Sequence, residues 1–121
     1  MALILIVEDS GYQRGLIRAC VGGVGREIIE ASSAEDALEV LKSRKPDIIL
    51  TDIVMQGMSG IDLLGKLKAD GVKIPVVVIS ADIQEPVLKE CMNLGAVGFI
   101  NKPLLGNSLT TLSNILKEYI D

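Results

Sequence analysis

Histidine is absent from the 121 residues, and cysteine occurs only twice, as Cys20 and Cys91, far apart and in no CxxC pair. A Cys/His zinc centre and a histidine-dependent nucleophilic triad are therefore excluded. Two isolated thiols read as small core residues of a reducing compartment. Aromatic side chains are almost missing: Tyr12, Phe99 and Tyr119 are the whole set, which leaves nucleobase stacking and aromatic cages poorly supplied. A basic excess is lacking too, since twelve Lys and Arg face sixteen Asp and Glu for a net charge of −4. That balance argues against direct binding of DNA or RNA. The opening apolar run, Ala2 to Val7, is too short for a membrane span and carries neither the basic lead nor the cleavage site of a secretory signal. The expected location is the cytoplasm, away from any membrane.

What is present is a chain that is 49% hydrophobic and builds its core from Val, Ile, Leu and Ala. Its length fits one domain, 1–121, able to bury a core without disulfides or a structural metal. Short apolar runs at Leu3–Val7, Glu27–Ala31, Ile48–Thr51, Val76–Ser80 and Val97–Ile100 read as strands. Those at Leu3, Ile48 and Val76 are continuous rather than alternating, as strands buried on both faces of a parallel sheet require. Between the runs the period becomes helical. Ala34, Ala37, Leu38 and Leu41 form one stripe, Ile61, Leu64 and Leu67 a second, and Leu105, Leu109, Leu112, Leu116 and Tyr119 a third. Ser32 with Glu35 and Ser59 with Asp62 have capping-box spacing, and Pro86 suits a first helical turn. Five βα units predict an α/β fold, a doubly wound parallel sheet with helices on both faces and ligands at the carboxyl ends of the strands.

Those ends are chemically selective. Glu8 and Asp9 follow the first run, Asp52 the third, Ser80 closes the fourth, and Lys102 with Pro103 follows the fifth. Each has an ordinary explanation alone: Ser10 with Gln13 has capping-box spacing, Asp52 suits a turn, and Lys102 a solvated charge. Neighbouring strands lie ~4.8 Å apart, however, so the set can converge on one small volume. Adjacent carboxylates at Glu8 and Asp9 repel unless a cation, backbone N–H groups or solvent compensates them.

The stretches "VEDS", "DIILTDIVMQGMSGIDLL", "PVVVISA" and "GFINKP" give the chain a resemblance to the receiver domains of two-component response regulators over essentially its whole length. The resemblance implies a flavodoxin-like sheet of strand order 2-1-3-4-5. It implies that Asp52 accepts a phosphoryl group from a histidine kinase or phosphotransfer protein, and that Glu8, Asp9, Asp52 and the Val54 carbonyl hold Mg²⁺ or Mn²⁺. It casts Lys102 and Ser80 as ligands of the phosphoryl oxygens, with Ser80 and Phe99 as switch residues and the Lys102–Pro103 bond usually cis. On this reading the chain is not an enzyme with an external substrate. It catalyses only its own phosphorylation and dephosphorylation, then presents the surface of the fourth helix, fifth strand and fifth helix to a target protein or a second receiver.

That surface has support in the residues. The fourth helix carries one apolar line, Val87, Cys91 and Leu94, and a second, Leu88 and Met92, beside a last helix whose Asn107, Thr110, Thr111 and Asn114 are uncharged. Gln56 stands where receivers usually have proline, which predicts a more mobile loop. Four other readings compete. A flavin module would need a phosphate cradle where "EDSGYQ" offers two anions. The glycines of "VGGVGRE", Gly22 to Glu27, precede a strand and suit a helix stop better than a nucleotide site. An aspartyl phosphatase would show Asp-x-Asp, and a non-phosphorylated scaffold would have lost site residues. Val54 cannot orient an attacking water by hydrogen bonding, whereas Asp82 can, and the expectation is slow loss of phosphate. Val54→Asn should shorten the lifetime of the phosphorylated chain in a radiolabel decay assay; an unchanged lifetime would count against the role given to Val54.

Overall fold

A computed structural model describes residues 1–81 and 84–121, so Asp82, the residue expected to hold a water, lies outside the described residues. Ten elements alternate: β1 (Ala2–Val7), α1 (Gly11–Val21), β2 (Arg26–Ala31), α2 (Ala34–Val40), β3 (Ile48–Thr51), α3 (Gly60–Ala69), β4 (Val76–Ser80), α4 (Glu85–Asn93), β5 (Ala96–Asn101) and α5 (Asn107–Tyr119). The strands pair in parallel in the order β2-β1-β3-β4-β5, the order expected.

The continuous apolar runs explain the layering. Leu5, Val7, Ile49, Val76 and Val78 face α2, α3 and α4 across one core cluster. Ile4, Ile6, Ile48, Leu50, Val77 and Ile79, their alternate neighbours, face α1 and α5 across the other. Burying an aliphatic side chain of this size contributes about 1.5–3 kcal/mol, and the three central strands are buried on both faces. One interruption matters for the site. The pairing of β4 with β5 steps from Val76↔Ala96 to Val77↔Gly98, leaving Val97 as an extra residue. Such a bulge reverses the inside/outside parity of the residues beyond it. Phe99 therefore joins the α2/α3/α4 side, whereas uninterrupted alternation from Ala96 would turn it toward α5.

Helix starts largely follow the sequence signals. Ser59 and Asp62 form a reciprocal capping box on α3, Ser10 Oγ accepts the Gln13 N–H at 3.2 Å on α1, and Pro86 lies in the first turn of α4. Two expectations are corrected. The cap of α2 is Ser33, accepting from the Asp36 N–H at 3.0 Å, not Ser32 with Glu35. The run "SSAED" holds the same spacing in two registers, and burial of Ala34 and Ala37 selects the later one. In the α5 stripe Leu112 and Leu116 are buried, but Leu105 precedes the helix and is exposed, as is Tyr119 at its end. Gly22 ends α1 by donating to the Arg18 carbonyl at 2.9 Å, as the helix-stop reading of the glycine run requires.

The start of α3 fixes the loop that follows Asp52, residues 53–59. A Cβ on Gly60 would lie 2.1 Å from the Asp52 carbonyl oxygen, and the Gly60 N–H donates to the Ile53 carbonyl at 2.8 Å. A Cβ on Gly98 would crowd the side-chain tip of Ile115, at 2.6 Å, and otherwise meet side-chain carbons of Ile115 and Val77 at ordinary contact distance. Overpacking commonly costs about 1–3 kcal/mol, and more where backbone cannot yield. Gly60→Ala should therefore destabilise by at least about 2 kcal/mol in a urea titration and Gly98→Ala by less; the reverse order would refute the close approach at Gly60.

Candidate functional site

Four strand ends supply the site. Glu8 directly follows β1 and is only 2% exposed, although it is ionisable. Such a carboxylate needs partners, and it has several. Lys102 Nζ donates to Glu8 Oε1 at 2.8 Å and to Asp52 Oδ2 at 2.9 Å, while the Ser10 N–H donates to Glu8 Oε2 at 3.1 Å. Arg14 secures the same turn by donating to the Glu8 carbonyl at 2.8 Å. Asp52 follows β3, its side chain 13% exposed, and Oδ1 accepts the Ile53 N–H at 2.7 Å. Asp9 is exposed and accepts the Gln56 N–H at 3.1 Å through Oδ2.

Lys102 is aimed by the end of β5, where its N–H donates to the Ser80 carbonyl at 2.9 Å and its bond to Pro103 is cis. Ser80 itself is the buried last residue of β4. The structure thus brings Glu8, Asp52 and Lys102 into one hydrogen-bonded group, with Ser80 bound to its edge through the backbone and Asp9 tied to the following loop by the Gln56 N–H. Val54 lies in the loop after Asp52 with its side chain 74% exposed, and no hydrogen bond to its carbonyl occurs among the described residues. Phe99 is half-buried against the core on the α4 side.

Burial pushes the Glu8 carboxyl above its ordinary range, against the pull of Lys102 and the Ser10 N–H. Asp9 moves the other way, lowered first by the neighbouring Glu8 carboxyl and then by the Gln56 N–H. Burial would lower Lys102, but hydrogen bonds to Glu8 and Asp52 outweigh it and hold the ammonium charged above its usual range. As pH falls, Glu8 is therefore the first of the adjacent pair to take up a proton. Among the described residues no three carboxylates form a closed metal cage. The donor set nevertheless suits a hard cation, because Mg²⁺ needs only one or two carboxylates and keeps several waters. Asp9 and Asp52 are all-oxygen donors with lone pairs left over, and the Lys102 contacts demonstrate that the cluster already attracts positive charge.

Beside the cluster, Leu16, Ile17, Ala81, Pro103 and Leu104 line an apolar groove of about 270 Å³ that ends on Lys102. Composition and spacing did not indicate this groove, nor three contacts of the loop after Asp52: Gln56 with Asp9, Met58 with Glu35, and Gly60 with the Asp52 carbonyl. Each depends on backbone proximity across distant sequence, which no local pattern encodes. On α4, Cys91 is buried with Val87 and Leu94 beside it, whereas Met92 is 49% exposed and Leu88 half-buried.

A family model for the response regulator receiver domain matches residues 4–114. Among curated proteins, the chain is 39% identical to a protein-glutamate methylesterase/protein-glutamine glutaminase of Treponema denticola over 123 residues, 97% of this chain and 33% of that protein. It is 34% identical to the chemotaxis protein CheY of Thermotoga maritima over 101 residues, 83% of this chain and 84% of the other. A solved response regulator receiver protein from Pseudomonas putida superposes with a TM-score of 0.87 at 28% identity, covering 97% of this chain and 96% of that one. The chain thus spans about a third of the length of the methylesterase relative.

Lys102→Met would leave Glu8 and Asp52 without their ammonium. Burial raises the Glu8 carboxyl above its ordinary range, so the part of the stability that comes from its protonated form is present at low pH and is lost as pH rises through the raised folded value. In the absence of divalent cations, the variant should lose about 3 kcal/mol at pH 7.5 and recover part of it toward pH 5. Urea titrations at the two pH values check this, and a pH-independent loss would contradict it.

Proposed function

The chain belongs to the response regulator receiver domain family of two-component signalling, and on that premise we propose that it is a phosphorylation-dependent switch whose acceptor is Asp52. The observation that carries the reading is Lys102 Nζ, held 2.9 Å from Asp52 Oδ2 and 2.8 Å from Glu8 Oε1. A cation so placed can transfer its hydrogen bond from a carboxylate to a phosphoryl oxygen without a large movement.

An Asp52 carboxylate oxygen attacks phosphorus in line, the bond to the donor nitrogen or oxygen breaks, and the leaving group departs with that electron pair. Charge accumulates on three equatorial oxygens, so catalysis consists of positioning and electrostatic stabilisation. Lys102 neutralises one oxygen, and the Ser80 hydroxyl with nearby N–H groups receives another. Asp9, Asp52 and the Val54 carbonyl would hold Mg²⁺ or Mn²⁺, with Glu8 acting through bound water; when bound, the ion neutralises the third oxygen. The apolar groove ending on Lys102 suits a docked histidine kinase or phosphotransfer protein, whose donor would arrive past the small side chain of Ala81. Free thiols at Cys20 and Cys91 are consistent with a cytoplasmic setting.

The acyl phosphate draws Ser80 toward it and biases Phe99 inward, altering the α4-β5-α5 surface. Phe99 lacks a phenolic hydroxyl, so packing transmits the change. Met92 and Leu88, directed away from the line that Val87, Cys91 and Leu94 bury, provide the apolar part of a face for a target protein or a second receiver.

Incubation with Mg²⁺ and acetyl phosphate should give one phosphoryl adduct by intact mass, absent from Asp52→Asn and from a metal-free control. In the same sample, amide shift changes remote from Asp52 should concentrate on α4, β5 and the start of α5. An adduct on Asp52→Asn would move the acceptor elsewhere, no adduct under any donor would favour a non-phosphorylated scaffold, and shifts confined to the site would remove the switch surface.

A further inference from the structure

Among the described residues, one hydrogen bond links the acidic pair directly to the loop after Asp52, and its donor is backbone. The Gln56 N–H reaches Asp9 Oδ2 at 3.1 Å, across 47 positions of sequence. The same loop is anchored on its far side, where the Met58 N–H donates to Glu35 Oε2 at 3.4 Å. Between them Gly57 adopts φ +78, and a Cβ there would lie 2.6 Å from that Glu35 oxygen. The Gln56 side chain is exposed, so this position contributes its N–H, a group every residue except proline carries.

We propose that the Gln56 backbone N–H is a positioning group for divalent-cation binding, fixing the Asp9 carboxylate in the orientation in which it ligates the ion. The inference rests on the reading of Asp9 as a metal ligand. Asp9 is exposed and follows the end of β1, so its carboxylate has little packing to restrain its rotation. A hydrogen bond to Oδ2 removes that freedom and leaves Oδ1 and a second lone pair of Oδ2 open. The donor belongs to the loop that also carries Asp52 and the Val54 carbonyl, so one contact sets the spacing between both halves of the ligand set. Proline at position 56 would abolish the contact, and the loop would have to position Asp9 by other means. Outer hydrogen bonds of this kind typically change metal affinity by about 10–100-fold.

Titration of the full chain with Mn²⁺, following free ion by electron paramagnetic resonance, tests the proposal without reference to phosphorylation. Gln56→Pro should weaken Mn²⁺ binding at least about tenfold, whereas Gln56→Ala, which keeps the N–H, should bind as the parent does. Added to Asp9→Asn, Gln56→Pro should have no further effect, because the two changes remove the same interaction. If Gln56→Pro proves unfolded by circular dichroism, replacing Gln56 with its α-hydroxy acid deletes the N–H without the ring, and the same weakening is expected. Parental affinity in the N–H-deleted chain, or equal weakening by Gln56→Ala, would overturn the inference while Asp9→Asn still loses the ion. Parental affinity in Asp9→Asn would instead overturn the assignment of Asp9, and this inference with it.

Discussion

A carboxylate buried as completely as Glu8 is tolerable only because an ammonium 94 residues away in sequence lies against it. Lys102 is shared between Glu8 and Asp52, and that sharing organises the carboxyl edge of the sheet. It restrains the end of β1 relative to the end of β3, and it draws the residue after β5 back over the site. Because the cation already serves two anions, a phosphoryl group arriving on Asp52, as proposed, would redistribute an existing ion pair rather than create a new one. The cost of assembling charge is therefore largely met in the resting fold, which is the sense in which the site is preorganised.

The loop after Asp52 is held by contacts of its own. Asp52 Oδ1 takes the first N–H of the loop, Asp9 takes the Gln56 N–H, Glu35 takes the Met58 N–H, and Gly60 brings α3 into contact with the Asp52 backbone. The expectation of a more mobile loop at Gln56 treated the missing proline as a loss of stiffness alone. Proline restricts φ but donates nothing, whereas Gln56 gains a hydrogen bond to Asp9, an effect opposite in sign on loop order.

The proposed communication away from the site rests on the bulge at Val97. By inserting one residue opposite β4, it brings Phe99 to the layer that contains α4 and leaves Val97 and Ile100 toward α5. The half-buried ring packs in the same core layer as Val87 and Cys91 of α4, the helix that also carries Leu88 and Met92. A strand of perfect alternation would have disconnected the aromatic from that helix.

The order of elements and the edge carrying the chemistry were legible because period and burial are local properties. Continuous runs at Leu3, Ile48 and Val76 mark strands covered on both faces, and in a parallel sheet all strand ends of one kind share an edge, so Glu8, Asp9, Asp52, Ser80 and Lys102 had to lie along the same edge. The strand order itself came from likeness to a family, since five βα units admit several orders. Where local signals were degenerate, as with the two capping registers of "SSAED" or the over-long stripe from Leu105 to Tyr119, only packing chose. The sequence by itself determined which residue types meet at the carboxyl edge. Tertiary structure decided which oxygen Lys102 serves, which N–H reaches Asp9 and which way Phe99 faces, because those depend on ångström-scale register between segments that are distant along the chain.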